Sequence, residues 1–363
     1  MTSLYIVEIE PLDTRYSAQW KEYIPKLIET YALDNNIDLD IFVVEGDLRD
    51  DPLPQGAFLN FNSTNIYKSS QLISIAELFQ QGKVKQDDIF LFTDAWNPTV
   101  IQLKYISDLL KIPVRLHGLW HAGSWDKFDA IGQILGNKPW VRNAERSMYD
   151  CYDVNWFASS FHANLYAETF GLPPWDSKIQ LTGWPMEYLV DVLKPYSLLT
   201  KRNQIVFPHR IAPEKQLEIF RDLAASMPHI DWVVSQDTRL TKDQYHAQLG
   251  QSQIVFSANL QETLGISTCL EAPLVNAIPL APDRLSYQEI IIDDWRYPSA
   301  WTENWESYQA NKVLLIQKIN HLMEQAVNNP YKVQQLLQTQ REKSYAFMCA
   351  DNLLHGMLNH LKK

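Results

Sequence analysis

Short apolar runs, each bounded by longer segments of helical period, recur almost throughout the chain, and this alternation constrains its fold more than any other feature. It is the pattern of parallel strands joined by crossover helices. Residues 4–9, 40–44, 89–92, 114–116, 155–158 and 179–182 read as the strands of a first sheet, with helices over 19–31, 68–80, 99–110 and 161–170. The pattern restarts after Gly183-Trp184-Pro185-Met186, with strands at 204–207, 231–235, 254–257 and 278–281 and helices at 214–226, 241–249 and 266–274. A chain of 363 residues exceeds what one core usually spans, since domains run to roughly 150 residues. The expectation is an α/β protein of two Rossmann-like doubly wound domains, 1–190 and 191–340, facing across a cleft. Leu315, Ile319, Leu322 and Ala326 form one helical stripe beyond them, and a final helix within 341–363, holding Tyr345, Met348, Asn352 and His355, can cross back to the first domain.

A hydrophobic content of 46% with 21% charged residues is that of a packed globular protein. The net charge of −11 argues against a globally basic nucleic-acid binder. No leader-like segment and no long uncharged apolar run is present, which predicts a soluble, cytoplasmic protein without membrane contact. Cys151, Cys269 and Cys349 are scattered and odd in number, as suits a reducing compartment, and form no metal-like spacing.

Parallel sheets place their ligands beyond the carboxyl ends of the strands, so the residues just after strands matter most. One such segment is Pro208-His209-Arg210-Ile211-Ala212-Pro213-Glu214-Lys215. A guanidinium fork at Arg210 and a point charge at Lys215 suit a diphosphate, the alternative being a surface Arg and Lys with Lys215 paired with nearby acids. Another is Gln261-Glu262-Thr263-Leu264-Gly265-Ile266-Ser267-Thr268-Cys269-Leu270-Glu271, in which Gly265 opens a helix. A helix start offers unpaired N–H groups and a positive dipole end to a phosphate. Taken by themselves, Glu262 and Glu271 read sooner as a solvent-facing loop acid and a helix-surface charge.

Together these segments resemble the donor domain of the family-four retaining GT-B glycosyltransferases. Arg210 and Lys215 stand five residues apart, as in that family, whereas Glu262 and Glu271 stand nine apart where its pattern has eight. Residues 276–289, with Pro208-His209-Arg210, more narrowly resemble tRNA-queuosine mannosyltransferases and the DNA glycosyltransferases of phages, and bring in Glu289 as a further candidate. The resemblance implies a GT-B fold, a nucleotide-sugar donor (a UDP-sugar favoured) and retention of configuration. It assigns donor binding to His209, Arg210, Lys215, Gly265, Ile266 and Glu271, with Glu262 toward the sugar and Glu271 toward the ribose. No metal and no cofactor is implied, the nucleotide-sugar being a co-substrate.

In the first domain the densest cluster is Arg115-Leu116-His117-Gly118-Leu119-Trp120-His121-Ala122-Gly123-Ser124-Trp125-Asp126. His121, with Asp126, is a candidate for a sugar hydroxyl or the leaving oxygen, and a His at this place contacts the donor sugar in the resembling family; the alternative is a histidine satisfied by backbone groups. Asp94 follows a strand and is either catalytic or the cap of a helix starting near Pro98. Arg15 and Tyr16, in a first loop lacking the family's Gly-Gly pair, together with His117 and the hinge residue Trp184, are candidates for the acceptor side. Ser159-Ser160-Phe161-His162 reads as a helix start, and Trp140, Trp156 and Trp175 as core.

The expected activity is hexosyl or pentosyl transfer to a hydroxyl, the leaving phosphate oxygen taking the acceptor's proton. By resemblance the acceptor is a hydroxymethylated pyrimidine in phage-type DNA, which would place a phage-encoded enzyme in the host cytoplasm. Lys68, Lys127, Lys138, Arg142 and Arg146 are the local basic set available for it. The alternatives are an acceptor in tRNA, lipid or a small metabolite, a sugar-nucleotide epimerase, and a catalytically silent module binding sugar nucleotides or nucleic acid.

Overall fold

The structure is a computed structural model that describes residues 2–12, 15–51, 59–173 and 176–362, so Asp13, Thr14 and Trp175 lie outside it. The chain divides into two compact units, one of Met1–Ala158, Ala163–Thr182 and Ala350–Lys363, the other of Ser159–His162 and Gly183–Cys349. The division falls at 182/183, whereas the sequence pattern placed it near 190.

In the first unit the order is β1 (Thr2–Val7), α1 (Ser17–Asp34), β2 (Leu39–Val44), α2 (Phe61–Gln80), β3 (Ile89–Phe92), α3 (Thr99–Leu110), β4 (Arg115–Trp120), α4 (Ala130–Leu135), α5 (Pro139–Cys151), β5 (Val154–Phe157), α6 (Ser160–Phe170, from Ala163 onward) and β6 (Ile179–Leu181). All strand pairs are parallel, in the order β2-β1-β3-β4-β5-β6. Ile89, Phe90, Leu91 and Phe92 of β3 are wholly buried, which explains their uninterrupted apolar run: a central parallel strand is covered on both faces. Each such side chain contributes about 1.5–3 kcal/mol through burial. Trp120, Tyr152, Phe157 and Tyr166 pack beside them.

The second unit continues with α7 (Leu189–Leu193), β7 (Gln204–Phe207), α8 (Leu217–Ser226), β8 (Asp231–Val234), α9 (Lys242–Gln251), β9 (Ile254–Phe256), α10 (Ala272–Leu274), β10 (Ile278–Pro282), α11 (Tyr287–Ile290), β11 (Arg296–Tyr297), α12 (Trp305–Asn328) and α13 (Pro330–Met348). Its parallel sheet runs β11-β10-β9-β7-β8. The two-residue strand β11 is too short for any periodicity to announce. A capping box of Thr241 and Gln244 starts α9, and Asn304 caps α12.

Three helices differ from the sequence reading. Residues 214–226 form a 3-10 turn (Pro213–Lys215) and then α8, separated by Gln216 at φ 52°, whose amide donates to Ala258 O at 2.5 Å and Thr302 O at 2.8 Å. Residues 266–271 form a π-helical turn before α10. The expected last helix is interrupted at Cys349, which is extended (φ −75°, ψ 133°), leaving α13 and a separate α14 (Asp351–Leu358). Phe347 O and Met348 O accept the N–H groups of Trp184 at 2.6 Å and Met186 at 3.0 Å instead of continuing a helix. α14 belongs to the first unit, where the absence of a side chain at Gly356 admits the Trp156 ring. Among the described residues no helix is long and apolar enough to cross a membrane.

Candidate functional site

Both sheets have the doubly wound order in which connections diverge from one point, between β1 and β3 in the first unit and between β7 and β9 in the second. Such a switch point separates the loops beyond the strand ends and opens a crevice for a ligand. The most polar cluster of the second unit lies in the loops after β7 and β9.

Lys215 is only 5% exposed, and its ammonium donates to Gln261 O at 2.6 Å and to Glu262 Oε2 at 3.3 Å. Oε1 of Glu262 accepts the Gly265 N–H at 3.0 Å, and Oε2 also accepts from Asn259 Nδ2 at 3.1 Å. Burial would raise the Glu262 pKa, but Lys215 and the Gly265 N–H outweigh it and hold the carboxyl below its ordinary value. Gly265 has φ 61°, and a Cβ there would come within 2.5 Å of Cys269 Sγ, so a glycine is required on both counts. The π-helical turn begins at Ile266, directly after the Gly265 N–H that Glu262 accepts.

His209 is buried, and burial followed by the Lys215 charge draws its pKa down to about 3, so the ring is neutral. Its Nδ1 lies 3.4 Å from Asn259 Nδ2. Asn259, fully buried, also donates to the Tyr287 hydroxyl at 3.1 Å, and the Arg284 guanidinium anchors this loop by donating to Ala258 O at 2.7 Å and Asn259 O at 2.8 Å. Arg210 is more open, with a side chain 39% exposed, and pairs with the buried Glu214. Asn259 did not stand out in the sequence, because a neutral amide carries no spacing signal, and Arg284 and Tyr287 lay within the resembling stretch 276–289 without a role assigned to them.

The extra residue between Glu262 and Glu271 coincides with the π-helical turn Ile266–Glu271. A π turn closes after five residues where an α turn closes after four, so one added residue is absorbed without rotating Glu271 onto another face. Glu271 is buried beside α9, its Oε2 2.8 Å from the Tyr245 hydroxyl and its Oε1 3.7 Å from His246 Nε2. Since a carboxylate only accepts, the Tyr245 proton goes to Glu271, and the Ser267 hydroxyl, 2.8 Å away, donates to the tyrosine oxygen. Glu289 accepts the Ser160 and Phe161 N–H groups at 2.9 and 2.6 Å, and so acts as a helix cap.

In the first unit, Tyr16, Asp94 and His121 come together at its switch point. His121 Nε2 lies 2.5 Å from Thr93 O and must carry the proton, leaving Nδ1 to accept from the Tyr16 hydroxyl at 2.6 Å. Burial lowers the His121 pKa to about 4. Both ring nitrogens are therefore engaged, and this histidine holds the first loop in place through Tyr16. Arg15 lies over the Tyr16 ring at 5.6 Å. Asp94 binds Lys68 at 2.8 Å and the Trp96 N–H at 3.2 Å; burial pushes its pKa up, but Lys68 and His121 bring it below the ordinary value. Asp94 does not cap α3, whose N-cap position is Pro98 with no side-chain capping bond; Asn97, just before it, accepts the Thr99 N–H at 3.2 Å. Glu145, fully buried, accepts from Ser124 N and Oγ, each at 2.6 Å, and from Trp96 Nε1 at 2.9 Å, tying down the loop after β4.

Two candidates for the acceptor side are core residues. His117 is buried, accepts from Trp156 Nε1 at 3.2 Å, and has its pKa lowered by burial to about 3. Trp184 is 0% exposed, with its backbone held by Phe347 O. Of the basic set, Lys68 is committed to Asp94 and Arg146 to Asp150.

No protein-family model and no curated protein matches the chain. Solved structures match over nearly its whole length. A sucrose-phosphate synthase from Thermosynechococcus elongatus is 11% identical, covering 99% of this chain and 98% of its own at a TM-score of 0.61. A glycosyltransferase from Rickettsia africae is 13% identical, covering 99% and 97% at 0.58. Anabaena HepE in complex with UDP-glucose is 10% identical, covering 99% of both chains at 0.56. Such identities carry the fold alone, and the fold that this chain shares with these proteins is GT-B.

Proposed function

We propose that the chain is a glycosyltransferase that moves a sugar from a nucleotide-sugar donor, a UDP-sugar in the first instance, to a hydroxyl acceptor. The observation that carries this reading is the convergence, at the β7/β9 switch point, of Lys215, Glu262, Arg210 and a helix start at Gly265-Ile266. Sugar transfer requires stabilisation of the departing diphosphate, and preorganised donors in a partly dry site are worth more there than in water. Arg210, Lys215 and the helix start at Gly265-Ile266 take that part, the Gly265 N–H being exchanged from Glu262 to the diphosphate when the donor binds. Glu262 orients the sugar hydroxyls, and Glu271, kept on its face by the π turn, accepts from the ribose. The likeness to HepE bound to UDP-glucose supports a uridine nucleotide.

The finer assignments rest on the sequence resemblance. They are transfer with retention, the diphosphate oxygen receiving the acceptor's proton as the glycosidic bond forms on the same face, and a hydroxymethylated pyrimidine in DNA as acceptor. A thermal-shift screen of UDP-, GDP- and ADP-sugars, followed by mass spectrometry of unmodified and hydroxymethylated DNA, tests both levels. Stabilisation by no nucleotide sugar would refute the transferase reading, and transfer to a small alcohol but not to DNA would refute the acceptor.

A further inference from the structure

Lys201 precedes β7, at the end of the second sheet opposite the loops that carry Lys215 and Glu262. Gln253 and Asn276 occupy the corresponding places before β9 and β10, and α12 and α13 close the space with Ala326, Val333 and Leu337. The space is half open to solvent and its volume is about 320 Å³, within the range of small-molecule sites. An ammonium has three N–H donors. Two of those on Lys201 go to Ser252 O and Val275 O, each at 2.8 Å, and the third has no partner among the described residues.

No ion pair to Lys201 is found among the described residues either, and burial alone draws its pKa down to about 7. The two carbonyls offer partial charges, not a counter-ion. The second cation nearby, Arg341, donates to the Asn276 carboxamide at the same wall, and Asn276 in turn donates to Ser197 O at 3.0 Å. Among the residues that line the cavity Lys201 carries the charge, and the carboxylate that acts on Arg341, Glu342, is not one of them. A buried charge is costly unless paired, so an arriving anion gains more here than at a solvated lysine.

We propose that this cavity binds a small metabolite bearing a phosphate or carboxylate group, with the oxyanion on Lys201 and the remainder against Val333 and Leu337. The site is separate from the donor loops and does not depend on what they bind.

The test is the melting temperature of the full chain titrated with inorganic phosphate and with succinate, at ionic strength matched by sodium chloride, for wild type, Lys201→Met and Ala326→Trp. The first variant removes the cation; the second fills the cavity and leaves the carbonyl bonds of Lys201 in place. The expected result is a rise in melting temperature, growing with the logarithm of anion concentration, in wild type and in neither variant. The probe that gives the rise distinguishes a phosphate from a carboxylate ligand. No rise in wild type with either anion at millimolar concentration would overturn the proposal, as would an equal rise in Ala326→Trp. A shift with UDP-glucose that persists in Ala326→Trp would show that variant's donor loops to be folded.

Discussion

The Lys215 ammonium stands 3.3 Å from Glu262 Oε2, each of the two charges being largely withdrawn from water and each the other's nearest counter-ion. Breaking a buried pair leaves one charge uncompensated, typically at a loss of about 3–5 kcal/mol, whereas removing both ends is often tolerated. Lys215→Met should therefore destabilise the protein strongly in urea titration, and Lys215→Met with Glu262→Leu should recover most of the loss. Both should lower sugar transfer by orders of magnitude. Near-wild-type transfer by Lys215→Met would remove the lysine from the donor site.

The same pair sets the sign of a pH effect. In wild type the folded pKa of Glu262 is below its unfolded value, so its contribution is present above about pH 4.5 and lost as pH falls through the folded pKa. Lys215→Met removes the largest of the lowering influences and leaves burial acting upward, so the folded pKa should rise and the stability that this group adds above about pH 4.5 should shrink. Melting temperatures between about pH 6 and pH 4 should fall less steeply in the variant. Parallel profiles would show that Lys215 does not hold the carboxyl down.

His117, His121 and His209 are buried with pKa values lowered to about 3, 4 and 3. Between those values and about 6.5 the unfolded chain binds more protons than the folded one, so stability should rise with pH across that window and be lost as pH falls through it. His117→Gln, which keeps an acceptor for Trp156, should flatten part of the slope in calorimetric scans at stepped pH. An unchanged slope would mean that His117 is protonated in the folded state.

Tyr245 gives its proton to Glu271, and a hydrogen bond to a charged group is worth about 1.5–3 kcal/mol. Tyr245→Phe keeps the ring and releases the carboxylate. On the donor reading, KM for the nucleotide sugar should rise about 10- to 100-fold with kcat nearly unchanged, because the ribose contact is the same in ground and transition states. A fall in kcat at constant KM would place Glu271 in the chemistry instead.

The loops that carry the site were legible in the sequence because β3, β7 and β9 are buried on both faces and read as unbroken apolar runs, each ending where the polar residues begin. Arg210, Lys215, Glu262 and Gly265 could be picked out from charge, spacing and a helix start. What holds them could not. Asn259, Tyr287 and Arg284 act through buried hydrogen bonds to distant backbone and side chains, which leave no local pattern. The engagement of both His121 nitrogens and the break at Cys349 likewise depend on tertiary partners that periodicity does not register.

The spacing of Glu262 and Glu271 is where the sequence and the structure inform each other most. One residue more than the resembling pattern would turn an α-helical Glu271 away by roughly a quarter of a turn, and the π-helical turn Ile266–Glu271 removes that rotation. Within it, Thr268 is fully buried and its hydroxyl has no hydrogen-bond partner among the described residues, so this residue adds an unsatisfied polar group. Deleting Thr268 should let the segment close as an α turn, with Glu262 and Glu271 eight apart and both carboxylates on their present faces. The deletion should keep UDP-sugar binding in calorimetric titration and should not lower the melting temperature by more than a few degrees. Inserting an alanine after Thr268 should abolish binding, because no regular helix absorbs a second extra residue. Loss of binding on deletion with the fold intact would mean that the π turn itself, and not the face it restores to Glu271, is what the donor requires.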